Sequence, residues 1–312
     1  MSVKSSTRLE QRTQALVTRF RRQRPLRAGS LLVTILGDAI VPRGGVIALA
    51  SLIDLARPFG LTERLVRTSI GRLAQEDWVE SERKGRLSYY SLTRAGAARF
   101  AEATQRIYAA PSTAWNGEWT LAIVAPGAKG AREALRRELT WLGFGELTPG
   151  VFAHPTHAQE GVPERLAALQ ASGQVIVMQH AAATGADAQL AALGWDFNDL
   201  ARRYRRFIDM FEPVRAAASD SRGVDGATAF ALRTLLLHEY RRVHLRDPLL
   251  PSQLLPRPWI GAAAHELCRA LYADVFAPSE RYLSATVQTL TGSLPAAAPT
   301  IFQRFGGLPR GV

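Results

Sequence analysis

Three short helical periods followed by two strand-like runs, then apolar strands alternating with amphipathic helices, then a long stretch of helix signals alone: this order predicts a multidomain α+β protein. Its expected parts are an N-terminal winged helix-turn-helix, a central ferredoxin-like α+β domain and a C-terminal all-α domain. The chain has 312 residues, which fits two or three domains. With 47% hydrophobic and 21% charged residues it has enough apolar material to fold, and wholesale disorder is excluded. The single cysteine, Cys268, excludes a disulfide framework and a zinc site built on several thiolates. No apolar run approaches the roughly 18 to 20 residues of a membrane span, and the N-terminus lacks a hydrophobic signal core. A cytoplasmic protein without membrane association is expected.

The boundaries follow from composition. Residues 1–27 form a flexible or helical basic arm, with Arg19, Arg21, Arg22, Arg24 and Arg27 close together before and after Pro25. Within 28–110, Leu32, Ile35, Leu36 and Ile40 repeat at helical spacing until Pro42, Gly44 and Gly45 intervene. A second helix is expected from Val46 to Ala56, stopped by Pro58 and Gly60. Thr62 then offers an N-cap for a third, reaching about Asp77. WVES and LSYYSL read as two strands joined by the basic turn Arg83, Lys84, Gly85, Arg86, and Arg94 to Tyr108 as a linker helix. Three helices and a hairpin are the winged-helix order.

Pro111 and Ser112 mark the next boundary. Over 111–186 the sequence reads TLAIVA as a strand, a helix carrying Leu135, Leu139 and Leu142, a strand within Gly145 to His154, a short helix from Pro163 to Ala171, and QVIVM as a strand. That βαβαβ order points to the ferredoxin-like class. In 187–312 helices are expected from Asp196 to about Ala218, from Thr228 to Val243, and over 260–276 and 279–290, with Pro248, Pro251, Pro256 and Pro258 breaking the middle.

Charge separates these parts. Residues 1–110 hold 19 Lys and Arg against 9 Asp and Glu, a net of +10, whereas the other 202 hold 20 against 18, a net of +2. A basic excess confined to one end is what a nucleic-acid-binding module needs, because each cation that meets a phosphate releases a counterion. At 100° per residue Arg64, Arg67, Thr68, Gly71, Arg72 and Gln75 share one face of the third helix, and Val66, Ser69, Ile70 and Leu73 the other. Arg pairs bidentately with guanine and Thr touches a thymine methyl or a phosphate, so Arg64, Arg67, Thr68 and Arg72 are the candidate readers. Lys84 and Arg86, in the hairpin turn, are candidate phosphate contacts. An ordinary solvated helix face gives the same periodicity; the helix's third place before a basic hairpin favours DNA.

Catalytic patterns are missing. The sequence has no Walker A loop, G-x-G-x-x-G, G-x-S-x-G or H-E-x-x-H. His154 and His157 flank Pro155 without carboxylate or thiolate neighbours, and Cys268 lies in the apolar stretch HELCRALY, where a buried thiol is expected. No metal or resident cofactor is predicted.

GDAIVPRGG, FGLTERLVRTSIGRL with RKGRLSYYSLT, YAAPSTAWNGEWTL, LTWLGFGELTPG, LLLHEYRRVHLRDPLLPSQLLPRPWIG and the late FQRFGGL together resemble the PaaX-type repressors of phenylacetate degradation, over nearly the whole chain. The resemblance implies a dimeric repressor on a palindromic operator of double-stranded DNA, released by phenylacetyl-coenzyme A or a related aryl-CoA. It also implies a central domain like the ferredoxin-like Cas2 nucleases. Those rely on an acidic residue at the end of the first strand, and TLAIVAPG carries none there, so nuclease activity is not expected. The basic N-terminal arm has no counterpart in the family pattern.

A coenzyme A thioester joins phosphates to an aryl group, so its pocket needs cations beside an aromatic slot. His238, Tyr240, Arg241, Arg242 and Trp259 offer that mixture, with Arg202, Arg203, Arg205 and Arg206 as a second cationic candidate. The rival reading is an acyl-CoA-processing enzyme with an accessory basic domain, but no nucleophile, base and oxyanion arrangement can be assembled for it.

Overall fold

The computed structural model describes residues 8–108, 115–125, 129–155, 162–219 and 223–308. Two compact units emerge, one of Met1–Ala110, Arg206–Leu245 and Ala263–Val312, the other of Pro111–Arg205 and Arg246–Ala262.

The first unit opens with α1 (Arg8–Arg21), whose Leu9, Leu16, Val17 and Phe20 are buried. Most of the basic arm is therefore a packed amphipathic helix. Of the flexible and helical alternatives the helical one forms, because the apolar stripe packs. Phe20 meets Phe59 and His238 edge-on, at 6.3 and 5.5 Å between ring centroids. The helix α2 (Ala28–Ile35) widens into a π-turn over Leu36–Ile40 and tightens over Val41–Arg43, where Gly44 at φ 90° ends it. Ile47–Ala48 form β1, and α3 (Leu49–Ala56) starts three residues later than Val46 because those two residues pair with the hairpin. Then come α4 (Glu63–Gln75), β2 (Val79–Lys84), β3 (Leu87–Leu92) and α5 (Arg94–Tyr108). The three short strands form one antiparallel sheet in the order β1-β3-β2.

In the second unit β4 (Glu118–Val124), α6 (Lys129–Trp141), β5 (Gly145–Thr148), β6 (Val151–Pro155), α7 (Val162–Ala171) and β7 (Val175–Ala182) follow in turn. The order is βαββαβ, not βαβαβ: Gly150 at φ 86° folds the expected single strand into a hairpin. The antiparallel sheet runs β5-β6-β4-β7. His154 belongs to β6, not to a loop, and packs buried against Phe144. His157 lies outside the described residues. Leu135 and Leu139 of α6, Leu142 just after it and Leu166 of α7 bury one sheet face with Ala122, Phe152 and Val175. The other face carries Trp119 and Ala153 under α8 (Asp187–Gly194), an element without a sequence signal, and under Leu250 and Leu254.

Next, α9 (Phe197–Ser219) begins at Asp196, whose carboxylate accepts from the Asp199 amide as the sequence suggests. The helices α10 (Gly226–His244) and α11 (Ile260–Thr286) return to the first unit, and a two-residue ladder of β8 (Gln288–Thr289) and β9 (Gly292–Ser293) follows. Two helices were expected over 260–290. One forms instead, because Pro278 costs a single backbone hydrogen bond while Ser279 and Glu280 beside it are buried and held.

Candidate nucleic-acid interface

Thr62 caps α4, its hydroxyl accepting from the Leu65 amide at 3.3 Å. Val66, Ser69, Ile70 and Leu73 are buried, so the helix has one orientation available. Arg64, Arg67, Thr68, Arg72 and Gln75 are all exposed on the opposite side. Arg67 donates to Glu63 at 2.8 Å, and Thr68 donates to the Arg64 carbonyl at 2.9 Å, which leaves its methyl outward. The Arg64 and Arg72 side chains have no partner among the described residues. A Cβ on Gly71, between them, would meet nothing within 4 Å, so another surface can approach the backbone closely there.

The hairpin is regular from Val79 opposite Leu92 to Lys84 opposite Leu87. Only Gly85 and Arg86 remain as the turn, with Gly85 at φ 62° in the first place, where II′ turns use glycine. Arg83 and Lys84 therefore end a strand rather than sit in a loop, and both are exposed, as is Arg86. At the hairpin base Thr93 donates to the Asp77 carbonyl and accepts from the Gly96 amide, at 2.8 and 2.9 Å. A Cβ on Gly96 would lie 2.0 Å from the Trp78 carbonyl oxygen, so glycine is required for α5 to seat against that base. Arg99 stacks on Trp78, which meets Phe100 edge-on.

Beneath this surface lies a charged centre that periodicity does not reveal. Asp38, in the π-turn after α2, is buried and accepts from Arg233 of α10 at 2.6 Å and from Arg304 near the C-terminus at 2.7 Å. Tyr108 of α5 and Tyr272 of α11 also donate to it, at 2.7 and 2.8 Å. Burial works to raise the Asp38 pKa, but the two guanidiniums and the hydrogen bonds outweigh it and hold the carboxyl below its usual range. Arg233 continues to Glu280 at 2.5 Å, and Glu280 also binds Arg43. Burial raises both tyrosine hydroxyls, which stay protonated as donors.

The residues expected around an aryl-CoA are arranged differently from an open slot. His238 and Tyr240 are fully enclosed. His238 meets Thr34 at 3.2 Å, and burial, followed by the charges of Arg241, Arg242 and Arg27, lowers its pKa to about 3. Tyr240 joins His244 and His265, at 3.1 and 3.0 Å. Since His244 Nε2 faces the Arg106 carbonyl at 2.9 Å it donates there, Tyr240 donates to His244 Nδ1, and His265 donates to Tyr240. Arg241 donates to the Ser30 carbonyl and hydroxyl, and Arg242 pairs with Glu239. Trp259 belongs to the second unit, against Phe197 and Tyr204. On α9, Arg202 and Arg203 both pair with Asp199, while Arg205 and Arg206 are exposed. His238 and Tyr240 lie on a helix buried along most of its length, as the run of buried residues on α10 shows.

Among the described residues no group of three or more His, Cys, Asp or Glu could hold a metal ion, and no helix is long and apolar enough to cross a membrane. Cys268 is buried, and burial pushes its thiol up, so it is a packing residue.

An exposed face of arginine and threonine beside a basic hairpin is the kind of surface a nucleic-acid-binding protein needs. Family models match along the chain: PaaX-like protein over residues 27–96, the PaaX protein central Cas2-like domain over 112–192 and the PaaX-like protein C-terminal domain over 195–285. The chain belongs to the PaaX family. It is 35% identical over 296 residues to the transcriptional repressor PaaX of Escherichia coli (strain K12), covering 91% of this chain and 92% of the relative. That relative is a regulator rather than an enzyme. Among solved structures this chain is similar to uncharacterized protein Rv0674 from Mycobacterium tuberculosis, with 25% identity, a TM-score of 0.52, and 80% of this chain and 98% of the other covered. The stretches GDAIVPRGG, HEYRRVH and FQRFGG, which carry the sequence resemblance, supply Asp38 and Arg43, Tyr240 and His244, and Arg304 to the buried centre and its surroundings. Arg233 and Glu280, its other charged members, have no sequence signal beyond being charges inside apolar helices.

Proposed function

We propose that the protein is a DNA-binding transcriptional repressor of an aromatic, phenylacetate-type catabolic operon, released from its operator by an aryl-CoA thioester such as phenylacetyl-CoA. In this reading α2 to α4 with the β2–β3 hairpin act as a winged helix-turn-helix, with α4 in the major groove and Lys84 and Arg86 on the flanking backbone. The second unit is a ferredoxin-like scaffold. The protein works as a homodimer, because one such module covers one half-site of a palindrome. The carrying observation is the exposed Arg64, Arg67, Thr68 and Arg72 face on a helix whose other side is buried, in a relative of a transcriptional repressor.

The thioester releases DNA only if it binds the non-repressing state more tightly, since equal affinity for both states shifts nothing. The test selects binding sites from a random duplex pool, then follows the complex by fluorescence anisotropy with phenylacetyl-CoA, free coenzyme A or phenylacetate added. Sequence-selective binding reversed by the thioester alone is expected. Binding indifferent to sequence, or thioester hydrolysis without any effect on DNA, overturns the reading. Thermal melts report the ligand independently, with a gain of about 2.7 kcal/mol at 100 times Kd.

A further inference from the structure

Arg21, in the last turn of α1, bonds to a different element. Its Nη2 donates at 2.8 Å to the carbonyl of Pro58, in the turn that joins α3 to α4. The Arg21 stem lies over Gly60, where an added Cβ would stand 2.9 Å from its Cγ, and Phe20 meets Phe59 of the same turn edge-on. Gly60 comes just before Leu61 and Thr62, the cap of α4. The end of the basic arm is thus fastened beside the end of α4 that carries Arg64. Two more arginines follow at once. Arg24 Nη1 donates to the Arg21 and Gln23 carbonyls, both at 2.9 Å, and the Arg22 side chain has no partner among the described residues. All three arginines are exposed. The chain holds no Asp or Glu between Glu10 and Asp38, and Asp54, near the end of α3, is already engaged by Arg57 at 2.6 Å.

We propose that Arg21, Arg22 and Arg24 make a second contact to DNA, holding phosphates outside the segment that α4 reads. The inference rests on the DNA-binding reading above and extends its surface to the arm. Helix electrostatics accounts for one of the three: a cation at a helix C-terminus meets the partial negative charge there, and Arg24 bonds the last carbonyls. It does not account for Arg21, which bonds across to the turn, or for Arg22, whose side chain is left exposed. Three like charges this close repel one another, and an anion among them removes that repulsion. Place selects the anion. A helix-turn-helix enters the major groove with the N-terminal residues of its recognition helix, so a group fastened beside that end faces the backbone bordering the groove. Arginine suits such a partner, because its planar fork offers parallel N–H groups to two phosphate oxygens. Arg21 keeps Nε and Nη1 for this while Nη2 holds Pro58.

The test follows the full chain by fluorescence anisotropy on the selected site in two duplexes, one trimmed to the base pairs whose identity selection fixes and one extended by half a helical turn at each end. Wild type is expected to bind the extended duplex about tenfold more tightly at low salt, with a steeper dependence of log K on log salt. Arg22→Gln with Arg24→Gln should remove most of that gain and lower the slope by about 2 on the extended duplex, and adding Arg21→Gln should lower it by about 1 more. Arg64→Ala should weaken both duplexes and keep the gain. Should the arm variants fail to fold, the charge is removed from the DNA instead. Uncharged methylphosphonates in the extensions should cost wild type the same factor of about ten. Arm variants that keep the whole gain, or a wild type indifferent to the extensions and to their charge, overturn the arm contact and leave α4 as the reader. A wild type without sequence-selective binding, unaffected by Arg64→Ala, overturns both.

Discussion

In the proposed reading of DNA, Arg67 starts from an ion pair that it must exchange. Glu63 holds it one turn away, but both residues are exposed, and such a pair contributes at most about 1 kcal/mol, so exchange for a guanine edge or a phosphate is cheap. Arg64 and Arg72 need no such exchange. Arg64→Ala and Arg67→Ala should each cost roughly 1 to 3 kcal/mol on the selected site and relax preference at one base position. Lys84→Ala and Arg86→Ala should act differently, weakening all sequences alike and lowering the dependence of log K on log salt by about 1 each. Anisotropy titrations at several salt concentrations, on selected and scrambled duplexes, separate the two patterns. Wild-type affinity in both α4 variants would show that this helix does not read DNA.

At the scale of elements, Asp38 decides how α2 is held. It joins the turn after α2 to α5, α10, α11 and the C-terminal segment through Tyr108, Arg233, Tyr272 and Arg304. Asp38→Asn keeps the shape and removes the charge, leaving the buried Arg304 without its carboxylate and Arg233 with Glu280 alone, which Arg43 also engages. A loss of roughly 3 to 5 kcal/mol in urea unfolding is expected, read as a lower midpoint with unchanged slope. A loss below 1 kcal/mol would mean that the other contacts suffice. The same centre marks the limit of what the sequence discloses. The α4 face and hairpin were legible because helix and strand periods are local. Asp38 and Arg304 lie 266 positions apart, and no local pattern announces that they meet. The α8 segment DAQLAALG lacks a one-sided apolar stripe, and the β5–β6 hairpin depends on one left-handed glycine, so both escaped a reading based on periodicity. His238 and Tyr240 are buried on α10, and their types alone do not separate the two roles, since residues suited to a ligand are equally suited to a core.

For the whole molecule, the first unit is assembled from three separated stretches of chain, so its N-terminal part is not self-sufficient. A fragment of residues 1–110 lacks Phe230 against Phe59 and both guanidiniums of Asp38, and should unfold without the cooperative transition of the full chain. A fragment melting like the intact protein would contradict this. The assembly also sets a pH limit on stability. His238 is held neutral by burial and by Arg241, Arg242 and Arg27, and His244 by burial and then, against the opposing Arg106 carbonyl, by His265 and Arg106; each has a pKa of about 3. An unfolded histidine titrates near 6.5, so below that pH the unfolded chain binds protons that the folded chain refuses. The stability these rings contribute is complete above about pH 6.5 and drains away as pH falls toward 3. Each histidine approaches a slope of about 1.4 kcal/mol per pH unit once well below 6.5, and the two together about 2.8. The lowered Asp38 carboxyl acts in the same direction but further into acid, as pH falls through its folded value, so it does not blur this window. Urea unfolding between pH 7 and 5 should therefore steepen toward the acid end, and His238→Gln should remove up to about 1.4 kcal/mol per pH unit of that slope whatever it does to stability at pH 7, while His244 and the likewise lowered His265 keep the remainder. An unchanged slope in that variant would show that His238 is not a site where unfolding takes up a proton.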